Sequence, residues 1–199
     1  MKIKICISLL IAVTFSLQSF SQKVSVNVYW NQKTAAANSD TIYYDFHKKL
    51  SWSDFQGKAL ESSPWGAMTA SGFSFSSEMN DDGENIDISV GVFAFFTKHD
   101  SWKKPYIHSD EHLMHEQHHF DITMLGVAKL IDEIRKATFT ATNYRPLLRS
   151  LFNKVYAENI ALQQQYDRET RNSLDVTKQK EWNEKIANEI LALQNRILK

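Results

Sequence analysis

The stretch from Ser109 to Lys136 contains no proline and a single glycine, Gly126, so nothing in it stops an α-helix. Along it Leu113, Phe120, Met124, Val127, Ile131 and Ile134 recur at helical spacings and form one continuous apolar stripe. His112, His115 and His119 fall on a different face, because positions three and four apart stack one turn above another. A helix of this kind packs on one side and presents the other to a cleft. Ser109 or Asp110 can cap its start, and Glu111 suits the positive end of the helix dipole.

Within that helix His115-Glu116-Gln117-His118-His119 fits the H-E-x-x-H pattern of zinc hydrolases. Two imidazoles one turn apart can converge on one divalent ion. Glu116, turned by about 100° from His115, lies near such an ion without being forced to ligate it, as a general base requires. Zn²⁺ is the cofactor expected, with a third protein ligand and one open position. His108 to His112 also spells the inverted form H-x-x-E-H, but His108 falls outside the helix, so its ring direction is not fixed. His112 is therefore read as a cleft-lining or surface residue. His118 is expected to be solvent-exposed or packed on its neighbours. Asp121 has two readings, a group that steadies a metal ligand or a surface salt-bridge partner.

At 199 residues, 43% hydrophobic and 23% charged, the chain is long enough to bury one sizeable core. Lys2 and Lys4, the apolar run from Ile5 to Leu17, and the small residues Ser19 and Ser21 read as a secretory signal peptide over residues 1–21. That leaves one domain, 22–199, destined for the periplasm or the extracellular space. The apolar run is shorter than the roughly 20 residues that span a bilayer, so no membrane span is expected after cleavage. Removal of the leader leaves 21 basic and 23 acidic residues with no basic run, which argues against nucleic acid as a partner. Cys6, the only cysteine, leaves with the leader, so any metal must be held through His, Asp or Glu.

Strands come first and helices follow, an α+β order with strands over 22–100 and helices over 109–199. Val24–Trp30 alternates apolar and polar residues, and Thr41–Phe46 is a second strand. Trp52 and Phe55 sit one helical turn apart before Gly57. Ala67–Ser77 and Ile86–Phe96 flank the turn formers Asn80–Asn85 and read as an antiparallel hairpin in an antiparallel sheet; the turn lacks the spacing of a calcium loop. After the motif helix, one helix is expected from Pro146 to about Gln165 with Leu148, Phe152, Val155 and Leu162 buried. Another runs from about Thr177 to the end, with Trp182, Ile186, Ile190, Leu193 and Ile197 on its inner face.

Ser51-Trp52-Ser53-Asp54-Phe55-Gln56-Gly57, Ser101-Trp102, the segment His115–Ile122, Tyr166-Asp167-Arg168-Glu169-Thr170, and Gln179 with Trp182 together resemble the DUF922 family, across nearly all of residues 22–199 and in order. Its members are exported bacterial proteins regarded as zinc-dependent proteases. The resemblance implies a zincin-like helix, a peptide or protein substrate, His115 and His119 as zinc ligands and Glu116 as the base. In the family pattern the Tyr-Asp segment runs on to a His, the natural third ligand, and here Asn172 stands at that position. Glu169 is the favoured replacement, with Asp167, Asn172 or His112 as alternatives. Tyr166 is the candidate oxyanion donor, against a core tyrosine with a satisfied hydroxyl. The alternative to a metallopeptidase is a catalytically inactive envelope binding protein that has lost its third ligand.

Overall fold

The structure, a computed structural model, describes residues 22–197. The leader expected over residues 1–21, with Cys6, lies outside the described residues. The chain forms β1 (Lys23–Trp30), β2 (Thr41–Tyr43), β3 (Ala67–Met68), β4 (Ser71–Asp81), β5 (Asn85–Thr97), β6 (Trp102–Lys103), α1 (Asp110–Lys136), α2 (Tyr144–Thr170) and α3 (Val176–Ile197). Strands precede helices throughout, so the α+β expectation holds. A single 3₁₀ turn at Trp52–Asp54 carries Trp52 and Phe55, whose rings meet edge to face at 5.0 Å.

β5 is the axis of the sheet. Ile86, Ile88, Val90, Val92, Ala94 and Phe96 share one face and are all buried, as their alternation requires. β4 pairs with it antiparallel from Ser71–Phe96 to Asp81–Ile86, so the expected hairpin forms, but its first arm is Ser71–Asp81 and not Ala67–Ser77, because Ala67–Met68 belongs to β3, which pairs with β6. The sheet as a whole is mixed rather than antiparallel: β1 runs parallel to β5, with Val24 opposite Ile86 and Trp30 opposite Val92, and β2 joins the same edge antiparallel. The chain from Trp30 returns through a loop and β2 before reaching β4, so β1 and β5 are not hairpin partners and their directions are free to agree.

α1 lies across this face. Ser109 Oγ accepts from the His112 amide and starts the helix. Phe120, Met124, Val127, Ile131 and Ile134 are buried, and Leu113 packs at the edge of the same core. α2 and α3 close the other side of α1, with Leu148 and Val155 on α2 and Trp182, Ile186, Ile190 and Leu193 on α3 buried as their spacing predicts, while Phe152, Leu162 and Ile197, expected with them, are half-buried at the edge of the core. Gly126 is the point of closest approach: a Cβ there would come within 2.8 Å of both Asn159 Nδ2 and the Phe73 ring. Asn159 uses that proximity to donate to the Ile122 carbonyl at 2.8 Å. α2 is longer than expected. It continues to Thr170 because no glycine or proline intervenes, and Arg171 (φ 52°, ψ 43°) takes the left-handed cap usually given to glycine. Among the described residues no helix is long and apolar enough to cross a membrane.

Candidate metal centre

The extension of α2 decides the site, because it carries Asp167 on a regular helical turn opposite α1. His115 and His119 project from α1 toward it, and a donor atom from each of the three lies within 4.8 Å of the others. His115 Nε2 stands 3.2 Å and His119 Nε2 2.9 Å from the same oxygen, Asp167 Oδ1. Tetrahedral ligands at zinc bond lengths sit about 3.3 Å from one another, so this spacing is that of a ligand set around one small ion.

The protonation of the rings is set from behind. Gln163 donates to the His119 carbonyl at 2.9 Å, an acceptor that cannot donate, and this fixes which way its amide points. Its oxygen then faces His119 Nδ1 at 2.6 Å and accepts that proton. Gln179 does the same for His115, accepting from Nδ1 at 2.9 Å while its nitrogen donates to Tyr166 Oη and Asn183 Oδ1 at 2.7 Å each. With the protons on Nδ1, both Nε2 lone pairs turn toward Asp167. Three electron-rich atoms then face one another, and Asp167 Oδ1 is buried without a hydrogen-bond partner. Such a cluster calls for a cation, so the donor set fits a divalent metal.

In the metal-free protein protons take that place. Burial works against a charged His119, yet a protonated ring can donate to Asp167 Oδ1 at 2.9 Å, and this, with Glu116, Asp167 and Gln163 around it, pushes its pKa up to about 9. Burial alone would raise the Asp167 carboxyl; the two facing imidazoles outweigh it and hold the group below the usual carboxylate range.

Glu116 is buried beside the ligands, and Thr69 Oγ1 donates to its Oε2 at 2.7 Å. The site opens onto a cleft of about 770 Å³ lined by His115, Glu116, His119 and Asp167, with His112 on its wall. His112 Nδ1 pairs with Ser109 Oγ at 2.9 Å and is not one of the converging donors, so it is the cleft-lining residue expected. Asn172 (φ 53°) also lines the cleft without joining the cluster.

Three expectations need correction. Glu169 is not with the imidazoles; its carboxylate accepts from Gln165 at 2.8 Å and Trp182 Nε1 at 2.9 Å. Two residues along a helix is a turn of about 200°, so Asp167 and Glu169 face opposite ways once α2 runs through both. Tyr166 is fully buried, stacked on the His115 ring at 4.6 Å, with its hydroxyl held between Gln179 and the His115 carbonyl. It is a core tyrosine that steadies a ligand ring and not an oxyanion donor. Asp121 is a salt-bridge partner, with Lys49 Nζ at 3.5 Å, but a buried one and not a surface one: on the far side of α1 it accepts from Tyr44 Oη at 2.7 Å, Gln117 Nε2 at 2.8 Å and His118 Nδ1 at 3.0 Å, and His118 is buried against its neighbours, one of its two expected placements. They tie the helix to the loop after β2, and neither is one of the converging donors.

Gln163 and Thr69 carry no motif and were not legible as site residues. Gln163 is four positions before Asp167, one turn away, a relationship that appears only when the helix is drawn through both. Comparison with protein-family models, with curated proteins and with solved structures found no match, and the centre therefore stands on its own geometry.

Proposed function

We propose that the protein is an exported zinc-dependent hydrolase acting on peptide bonds. The observation that carries the reading is the convergence of His115 Nε2, His119 Nε2 and Asp167 Oδ1 beside a buried glutamate in an open cleft. The resemblance to exported bacterial zinc proteases supports the same reading, and the leader expected over residues 1–21 would send the domain to the periplasm or beyond.

His115, His119 and Asp167 would hold the ion, with Asp167 in the role left vacant by Asn172. When bound, an ion with an open position acidifies a water and polarises a carbonyl. Glu116 receives the proton on its carboxylate and returns it to the departing amine. Thr69 fixes Oε2 by its 2.7 Å hydrogen bond, which directs the carboxylate into the cleft. Gln163 and Gln179 keep the Nδ1 atoms protonated and the Nε2 atoms free. The inactive-protein alternative rests on a missing third ligand, and the position of Asp167 beside both imidazoles favours the hydrolase over it.

The test is digestion of a broad mixture of quenched fluorogenic peptides by the zinc-loaded protein, with Glu116→Gln as control. Cleavage by the parent protein that a chelator abolishes, and none by the variant at equal zinc content, is expected. Equal turnover by both proteins would refute the role of Glu116, and no cleavage by either would refute the hydrolase.

A further inference from the structure

The cleft-facing side of α2 is graded along its length. Tyr156, Ile160, Gln163, Asp167 and Arg171 follow at spacings of three and four, so they form one stripe, and all line the cleft. Tyr156 and Ile160 are apolar and 42% and 41% exposed, which makes that end of the stripe a hydrophobic wall available to a ligand. Past the ligand Asp167 the stripe turns cationic, with Arg171 one turn on and Arg168 beside it. The two acidic groups that line this cleft, Glu116 and Asp167, are engaged at the centre itself. The close ion pairs that arginine makes among the described residues belong to Arg135 and Arg196; Arg171 and Arg168 line the cleft without one, although Arg168 is near enough to Glu169 to help hold its carboxyl low.

A basic residue in the last turn of a helix complements the dipole wherever it points. That accounts for a charge at this end of α2 but not for two arginines that line the cleft without a close ion pair, one of them in the turn after the third candidate ligand. A guanidinium fork matches a carboxylate. The distance along the axis from Asp167 to Arg171 is about 6 Å, the length of two residues of extended peptide.

Building on the peptidase reading above, we propose that the substrate is a peptide with a carboxylate within about two residues of the cut bond, bound by Arg168 and Arg171, and an apolar side chain on the other side, bound along Tyr156 and Ile160. The carboxylate can come from an acidic side chain or from the chain end, and the test separates the two.

The probes are four fluorescein-labelled peptides of one leucine- and alanine-rich sequence, with aspartate or asparagine two residues past the centre, each with a free or an amidated C-terminus a residue further on. Binding is read by anisotropy on zinc-loaded Glu116→Gln protein, which needs no cleavage and so tests recognition separately from hydrolysis. The carboxylate peptides are expected to bind at least about fivefold more tightly than the uncharged one. The gap should shrink as salt is raised and close in Arg168→Gln/Arg171→Asn, where asparagine tolerates the left-handed backbone at Arg171. Preference for aspartate regardless of the terminus assigns the site to a side chain, and preference for the free terminus assigns it to the chain end. Equal binding of charged and uncharged peptides, no binding of any, or a preference that survives loss of both arginines would overturn the proposal. If the fluorogenic digestion fails while the charge preference stands, the hydrolytic reading falls and the recognition does not.

Discussion

Gln163 accepts the Nδ1 proton of His119 at 2.6 Å while its own nitrogen donates to the His119 carbonyl at 2.9 Å, so one side chain grips both ends of the same residue. The amide cannot rotate without losing the carbonyl bond, and the imidazole cannot change tautomer without losing the amide oxygen. The hydrogen-bonding state of the ring is therefore decided before any ion arrives. Gln163→Leu should lower zinc affinity by about ten- to a hundredfold. Competition against a coloured chelator measures this, with far-ultraviolet circular dichroism showing that the fold is kept. An unchanged affinity would mean that Gln163 does not orient the ring.

The metal-free and zinc-loaded proteins should respond to pH in opposite directions. His119 has its folded pKa raised to about 9 from an ordinary 6.5, so its contribution to metal-free stability is complete below 6.5 and is lost as pH rises through 9. Asp167, held low, contributes above the ordinary carboxylate range and loses its share only in acid. Zinc must displace the His119 proton, so stabilisation by the ion grows over the interval in which the metal-free protein weakens. Thermal melts between pH 6 and 9, with and without zinc and with His119→Gln as reference, read both slopes. A metal-free protein that gains stability relative to the variant across this interval would contradict the ion pair.

Gly126→Ala sets two effects against each other. Alanine favours the helix by about 1 kcal/mol over glycine. Its methyl would stand 2.8 Å from Asn159 Nδ2 and from the Phe73 ring, pushing apart α1, α2 and β4 where Asn159 bonds to the Ile122 carbonyl. Overpacking of a tight contact costs about 1–3 kcal/mol and should win. A lower midpoint in urea is expected, with weaker zinc binding because α2 carries Asp167. A stabilised variant would show that the helices can separate freely.

What could be read from the chain alone follows from how local each signal is. α1 and α3 were legible because an apolar stripe sustained over many turns has one interpretation, and His115, Glu116 and His119 came with α1. β5 showed its buried face through strict alternation, but alternation says nothing about the neighbour's direction, so the parallel pairing with β1 was hidden. Asp167 was one of several carboxylates beyond the expected end of α2. Without a helix through residues 163–170, neither its stacking on Gln163 nor the opposite orientation of Glu169 could be drawn. Each of His118 and Asp121 kept a surface placement as one of two readings because the loop that covers Asp121, with Tyr44 and Lys49, has no periodic signature.

Equilibrium dialysis against zinc at neutral pH, on the parent protein, Asp167→Asn and Glu169→Gln, probes the metal centre without reference to any substrate. One tightly held ion per chain in the parent and in Glu169→Gln, with the ion lost or bound at least about tenfold more weakly in Asp167→Asn, is the outcome that His115, His119 and Asp167 dictate. No uptake by the parent, or retention by Asp167→Asn with loss in Glu169→Gln, would contradict it.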